Sequence, residues 1–355
     1  MPRVDPVASA QRVDIIVPGL FGPVPIDPET IADTPTLSRL LSRADCSAVP
    51  AEDPVSALMG SFHVRSDPGA DAPSAPFCFL ADEPECSPEA FVLHADPVHL
   101  RLERERMLLF DSRYLGLTRA EAGELCDAFD LHFSGEGLRL LAPRPDRWYL
   151  LAETPPQIRT RPLHEAVGRS INALLPRGPG GVAWARLLNE TQMLFHHSNV
   201  NKQREREGRL AVSGIWPWGG GRLSGVSPRS DYVMAFGEPP LIAGLSAAAG
   251  VALAPLPEDA GGLLRHCPEG NVLVYWHALW SAVLGADGVG WEKELRRLDG
   301  WLSPLPGVLK RAEVRSIELV PCDGRLYRVT ARGLRRFWRP FFRISDRLGS
   351  NAEAR

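Results

Sequence analysis

The chain has 355 residues, with 40 lysines and arginines against 43 aspartates and glutamates and a formal charge of -3. That near balance argues against a whole-chain polycation built for nucleic acid or lipid. A hydrophobic fraction of 44% and a charged fraction of 23% are ordinary for a globular protein, and the length predicts roughly two domains with a substantial core.

Lysine occurs only at Lys202, Lys293 and Lys310, so nearly all positive charge is arginine, the better partner for bidentate carboxylate or phosphate contacts. No run of about 18 apolar residues is present, and residues 1–30 lack a charged start followed by an apolar stretch and a cleavage site. The expectation is a cytoplasmic protein with no membrane association. The cysteines Cys46, Cys78, Cys86, Cys126, Cys267 and Cys322 form no C-x-x-C pair, which predicts reduced, structural thiols.

In chain order, Val13 to Val17 is a β-branched run stopped by Pro18-Gly19 and predicts a buried first strand. Asp33-Thr34-Pro35 predicts a helix start with the apolar stripe Leu37, Leu40 and Leu41. Residues 64–90, rich in Pro, Asp, Ser and Ala, predict a long loop or linker. Strands are expected at Phe91–His94 and Met107–Phe110, and Thr118 opens an amphipathic helix. Leu138–Leu141 and Trp148–Leu151 predict a hairpin, and residues 162–175 and 182–197 two helices. From Tyr232 onward, strand and helix patterns alternate, which predicts a parallel sheet covered by helices. The expected architecture is therefore α/β: a discontinuous core of residues 1–84 and 216–355, interrupted by an α+β module at 85–215.

Several groups carry potential chemistry. His94, Asp96 and His99 have ligand-type side chains, but their spacing favours polar groups that close a strand end over a metal site. The run His196 to Gly208 gathers amide and guanidinium donors at a helix end, where they could hold an anion. Trp216-Pro217-Trp218-Gly219-Gly220-Gly221-Arg222 predicts a tight glycine turn, since it lacks the context of a nucleotide loop. Near the C-terminus, Arg332, Arg335, Arg336, Arg339 and Arg343 interleave with Phe337, Trp338, Phe341 and Phe342; the favoured reading packs the rings on the core and leaves the arginines wet.

The order of these segments resembles the archaeal-type cofactor-independent phosphoglycerate mutases of the alkaline-phosphatase superfamily over roughly residues 12–325. Asn199-Val200-Asn201-Lys202-Gln203-Arg204 through Gly208, followed by Gly219-Gly220-Gly221, is similar to that family's H-P-V-N-x-x-R-x-x-x-G stretch and glycine turn. Asp33 to Leu37 and Ala95 to Arg101 match two further segments. The resemblance implies an alkaline-phosphatase-like core, and it implies two metals and a phosphorylated serine in active members. It places Pro18 at the first metal aspartate, Ala51 at the nucleophile, and Ala282 and Ala286 at the paired Asp and His ligands. The later Asp-His pair meets Cys322-Asp323-Gly324, without the histidine.

Within the family the sequence looks like the bacterial RpfE-type regulatory proteins. The implied reading is a pseudoenzyme with no cofactor, binding a phosphorylated or other anionic small molecule or a protein partner. Asn199, Asn201, Arg204, Gly220 and Arg222 are the expected residues of a retained anion pocket. One alternative is an active phosphomutase or phosphatase that uses Ser56 with relocated ligands from Asp14, Asp96, His99, His277 or Asp287. Another is a nucleic-acid adaptor that uses the C-terminal arginines and aromatics; the charge balance disfavours it.

Overall fold

A computed structural model describes residues 12–27, 31, 33–65, 71–104, 106–267 and 269–352. It divides into two compact units, unit one from residues 1–63 and 228–355 and unit two from residues 64–227. In chain order unit one begins with β1 (Arg12–Ile16), α1 (Pro35–Arg43), β2 (Asp45–Ala48) and α2 (Pro54–Ser61). Unit two contributes α3 (Ser74–Asp82), β3 (Phe91–Glu103), β4 (Arg106–Phe110), α4 (Arg119–His132), β5 (Leu138–Arg144), β6 (Arg147–Ala152), α5 (Leu163–Ala166), α6 (Gly181–His197), α7 (Asn199–Arg206) and β7 (Gly214–Gly221). The chain then returns to unit one as β8 (Tyr232–Phe236), α8 (Pro240–Ala249), β9 (Ala252–Ala254), α9 (Gly261–His266), β10 (Asn271–Tyr275) and α10 (Ala278–Leu284). It ends with α11 (Gly288–Leu302), α12 (Leu305–Lys310), β11 (Ser316–Val320), β12 (Arg325–Thr330) and α13 (Ile344–Ala352).

Unit one is built on a sheet of order β2-β12-β11-β1-β10-β8-β9. The strands from β11 through β9 are parallel, and β12 and β2 extend one side antiparallel. The mostly parallel α/β sheet is the expected one. In central β1, Val13 and Ile15 point to one face and join Leu37, Leu40, Val274, Trp291, Leu298 and Leu319 in a core with α1 and α11. Its other face carries Arg12 and Asp14, an unusual pattern for a strand flanked on both sides.

Asp299 of α11 accepts from the Leu37 amide at 2.7 Å and so caps α1 from across the core. The expected local cap differs, because Thr34 makes no side-chain cap bond.

Unit two is an antiparallel sheet of order β4-β3-β6-β5, with β7 also paired to β3. The first half of β3 lies between β6 and β7, and its second half pairs with β4. Leu93, Leu125, Phe129, Trp148, Leu150 and Phe195 pack against one another in its core. Thr118 and Glu121 form a reciprocal capping box at the start of α4, as the sequence predicts.

Three expectations are corrected. Residues 64–90 hold helix α3, whose Ala75, Phe77 and Phe79 are buried; residues 66–70 lie outside the described residues. The glycine run is the end of strand β7 and not a turn. Its glycines fit because Cβ atoms on Gly219, Gly220 and Gly221 would approach Ser74, Leu93 and Pro73 at 2.5 to 3.1 Å. Residues 162–175 form the short α5 and a 3-10 turn at Ile171–Ala173 in place of a helix. The unit boundaries fall at residues 63 and 227, outside the expected 84 and 215, because α3 and β7 pack with β3.

Leu319 is fully buried against the sheet core, so Leu319→Ala should destabilise unit one by about 3 kcal/mol in urea denaturation. A loss under about 1 kcal/mol would contradict this packing.

Candidate functional site

Unit one contains a cavity of about 370 Å³ between the polar face of its sheet and helix α2. Arg12, Asp14 and Ile16 of β1, Glu318 and Val320 of β11, and Tyr232 of β8 line the sheet side. Ala51, Ser56, Ala57, Gly60, Ser61 and His63 line the opposite side. Helix α2 is set by a capping box in which Asp53 accepts from the Val55 and Ser56 amides at 2.8 and 3.0 Å. This fixes Ser56 in the first turn, at the cavity wall.

The electrostatics centre on Asp14. The Arg12 guanidinium reaches both its oxygens at 2.9 Å, and the Tyr232 hydroxyl donates to Oδ2 at 2.6 Å. Asp14 and Glu318 are register partners on adjacent parallel strands, so two carboxylates stand side by side on one face. Arg328 pairs with Glu318 at 2.6 Å. Burial pushes the Asp14 carboxyl up to about 6, against the pull of Tyr232 and Arg12 and with a push from Glu318. Burial, and then the carboxylate beside it, also raises the Tyr232 phenol.

Chemically this is a cavity of acceptors and hydroxyls with a single arginine. Glu318, Ser56 and Ser61 can pair with ligand hydroxyls, and Arg12 is the cation available to an acid group.

Of the positions where the resemblance implies catalytic groups, one lies in this cavity. Ala51 lines the cavity. Pro18 is buried just past β1, Ala282 packs against the apolar core, and Ala286 sits exposed in the turn after α10 with φ 50°. Beyond β1, Gly19 (φ 78°) lies so close to α10 that a Cβ there would meet Val283 at 2.9 Å. The Trp291 indole donates to the Gly19 carbonyl at 2.7 Å. Proline and alanine have no side-chain donor atoms, and α10 packs apolar groups onto this loop, so the residues here do not fit a divalent metal pair.

The relocated-ligand alternative draws on scattered residues. Asp14 faces the cavity, His277 and Asp287 stand at the starts of α10 and α11, and Asp96 and His99 lie on β3 of unit two. Among the described residues, no group of three or more His, Cys, Asp or Glu is arranged to hold a metal.

The expected anion pocket falls within unit two, where most of its donors are already engaged. The Asn201 amide donates to the Phe195 and Val212 carbonyls and accepts from the Val212 amide, all at 2.8 Å. Arg204 is fully buried, pairs with Glu121 at 2.9 Å, and bonds the Leu210 and Leu115 carbonyls. Against the cost of burial, the Thr118, Arg204 and Arg209 hydrogen bonds hold the Glu121 carboxyl down at about 2. Asn201 and Arg204 therefore brace the interior of unit two with these bonds. Asn199 is exposed at the start of α7, and Gly220 makes room for Leu93 and Phe91. Arg222 keeps a buried Nε without a hydrogen-bond partner.

His94 and Asp96 lie inside β3, not at a strand end. His94 stacks on Trp218 with centroids 4.1 Å apart and meets Ser74 at 3.2 Å, and the Trp218 indole donates to Asp96 at 2.6 Å. Burial holds the His94 imidazole down near 3 and raises Asp96 to about 7.

Arg12, Glu318, Tyr232 and Ser61 escaped the sequence reading as site residues. The available signal was a polar residue at alternate positions, Arg12 and Asp14 of Arg12-Val13-Asp14-Ile15-Ile16 and Ser316 and Glu318 of Ser316-Ile317-Glu318-Leu319-Val320, in segments otherwise apolar.

No protein-family model matches the chain. Over 142 residues it is 28% identical to the 2,3-bisphosphoglycerate-independent phosphoglycerate mutase of Methanosarcina mazei, a stretch covering 39% of this chain and 36% of that protein. It is 33% identical over 61 residues to a probable enzyme of the same name from Geobacter sulfurreducens, covering 17% of this chain and 15% of the relative. The matches thus span about a third or less of the length of these curated relatives. Among solved structures, the PH0037 protein of Pyrococcus horikoshii superposes with a TM-score of 0.52 at 14% identity, over 91% of this chain and 88% of its own, a likeness of fold. A cofactor-independent phosphoglycerate mutase from Thermoplasma acidophilum aligns over 95% of this chain and 94% of its own, with a TM-score of 0.47 at 17% identity. Over part of its length the chain is similar in sequence to phosphoglycerate mutases, and its fold is α/β, with a largely parallel sheet in unit one.

Two outcomes test this geometry. Folded Asp14 holds its proton to about pH 6 against 3.8 for the free carboxyl, so it contributes a stability that is present below pH 3.8 and lost as the pH rises to 6. In urea titrations, Asp14→Asn should flatten the stability-pH curve across that window relative to the parent; an identical slope would contradict the assignment. Arg204→Ala should cost unit two about 3 kcal/mol, because it leaves the Leu210 and Leu115 carbonyls unpaired and Glu121 with Arg209 and Thr118 alone. Unchanged stability together with lost anion binding would restore the pocket reading.

Proposed function

We propose that this is a catalytically inactive phosphoglycerate-mutase-like protein with a regulatory role, which binds a small hydroxylated anion in the unit-one cavity. The observation that carries this reading is the set Pro18, Ala51, Ala282 and Ala286 at the positions where the resemblance implies a metal ligand, the nucleophile and two further ligands. A phosphoryl-transfer mechanism of that family needs those groups together, because the metals activate the nucleophile and neutralise the transferring phosphoryl. An alanine in the cavity wall where the serine is implied removes the covalent step while leaving space for a ligand.

The cavity chemistry supports binding without turnover. A ligand's acid group meets Arg12, and its hydroxyls meet Ser56, Ser61 and Glu318. The relatives' names point to phosphoglycerates as the first ligands to try, since these combine one hydroxyl with acid groups.

Protein incubated with manganese and zinc and then desalted should hold no stoichiometric metal by elemental mass spectrometry, and should not interconvert 2- and 3-phosphoglycerate. About two retained ions per chain, or turnover abolished by Ser56→Ala, would overturn the inactive reading. In calorimetry, Arg12→Gln should weaken binding of 3-phosphoglycerate at least tenfold; equal binding by parent and variant would remove the ligand from this cavity.

A further inference from the structure

The C-terminal segment after β12 departs from the expectation that its rings pack inward. Phe342 alone of its four aromatics is part-buried, packed on Phe21 and Tyr327, and Ile344 beyond it is buried. Phe337, Trp338 and Phe341 are 81%, 69% and 63% exposed. Such exposure of three large rings within five residues is costly in water and marks a contact surface.

The stretch is held in place. Leu334 is buried before it, and the Phe342 amide donates to Ser42 Oγ at 2.7 Å after it. Arg336 and Arg339 both turn back to Asp45, and Arg339 also bonds the Ala44 carbonyl. Arg43 in turn bonds the Arg336 and Arg339 carbonyls. The rings are thus displayed by a braced backbone, with little ordering left to occur on contact.

The bracing also decides which partner fits. A surface that stacks nucleic-acid bases interleaves its cations with its rings. Here the two arginines nearest the rings in sequence are folded back and paired with Asp45, so the presented tip is Phe337, Trp338, Pro340 and Phe341. The exposed Arg332, Arg335 and Arg343 flank this tip in the chain, and residues 324–345 contain no aspartate or glutamate. An apolar aromatic tip with flanking cations is the chemistry of a bilayer interface bearing anionic lipid.

We propose that the segment 332–343 docks unit one peripherally on an anionic membrane surface, with Phe337, Trp338 and Phe341 entering the headgroup region and Arg332, Arg335 and Arg343 meeting lipid phosphates. Such docking needs no spanning helix, and no helix among the described residues is long and apolar enough to cross a membrane. The surface is separate from the unit-one cavity, so the proposal stands whether or not that cavity binds an anion.

The test is flotation of the full chain with vesicles of phosphatidylcholine alone and with about a third phosphatidylserine, at low and high salt. The expected result is binding to the anionic vesicles only, weakened by salt. The triple variant Phe337→Ser, Trp338→Ser, Phe341→Ser should reduce vesicle binding at least tenfold with an unchanged thermal midpoint. Arg332→Gln, Arg335→Gln, Arg343→Gln should reduce it by a similar factor and remove the salt dependence. Should the aromatic triple fail to fold, Trp338→Ala alone carries the test, with a severalfold loss expected. No preference for anionic vesicles, or full binding by the aromatic variant, would overturn the proposal. Salt-sensitive binding of a single-stranded oligonucleotide without vesicle binding would overturn it in favour of nucleic acid.

Discussion

Asp14 ties together the strands on which unit one is built. Its carboxylate receives Arg12 from its own strand and Tyr232 from β8, and it stands beside Glu318 of β11. The Arg12 backbone amide meanwhile donates to the Asn271 side chain on β10 at 3.0 Å. One polar cluster therefore links β11, β1, β10 and β8, four adjacent strands of the sheet. A carboxylate in this position is expensive to desolvate, and its neighbours offset the cost only because their geometry is good. The raised protonation range of Asp14 shows that the offset is incomplete. A sheet made only for stability would place apolar residues here, as it does on the opposite face with Val13 and Ile15. Retention of the charged set keeps a face of the sheet wet enough to border a cavity.

The location of that cavity follows from what happens at the strand ends. In open α/β sheets ligands ordinarily sit beyond the carboxyl ends of the strands. Here the loop after β1 is occupied by Pro18 and a glycine packed on α10, and the Trp291 indole locks its carbonyl. The loop is closed against α10 by these contacts. The space that remains lies along the sheet's polar face under α2, where Ala51 and Ser56 still form part of the wall.

Legibility in the sequence tracked how local the governing physics was. Val13 to Val17 read as a buried strand because a β-branched run stopped by Pro-Gly has few other solutions. Thr118 with Glu121 read as a helix start because the capping box closes within four residues. The cap of α1 did not, because Asp299 supplies it from 262 residues away. The three glycines of β7 suggested a turn by composition, but they are strand residues selected by the close approach of Ser74, Leu93 and Pro73. The same non-locality governs the site residues. Asn201 and Arg204 have the residue types of an anion site, and only the positions of Val212, Leu115 and Glu121 show that their donors face inward. Arg12 and Glu318 went unrecognised beside Asp14 because their pairing exists only once β1 and β11 lie in register.

The C-terminal segment follows the same logic with a different outcome. Arg-Phe-Trp-Arg-Pro-Phe-Phe-Arg has no helical or strand period, so its sequence does not specify which side faces the core. Asp45 makes that choice, because its carboxylate draws Arg336 and Arg339 inward and leaves the rings beside them outside. The pairing holds the Asp45 carboxyl below its usual range, first through the Arg336 hydrogen bond. An exposed ion pair of this kind adds little to global stability. Its consequence is orientation: it turns a composition that could pack its rings on the core into a braced surface with its aromatic side toward solvent.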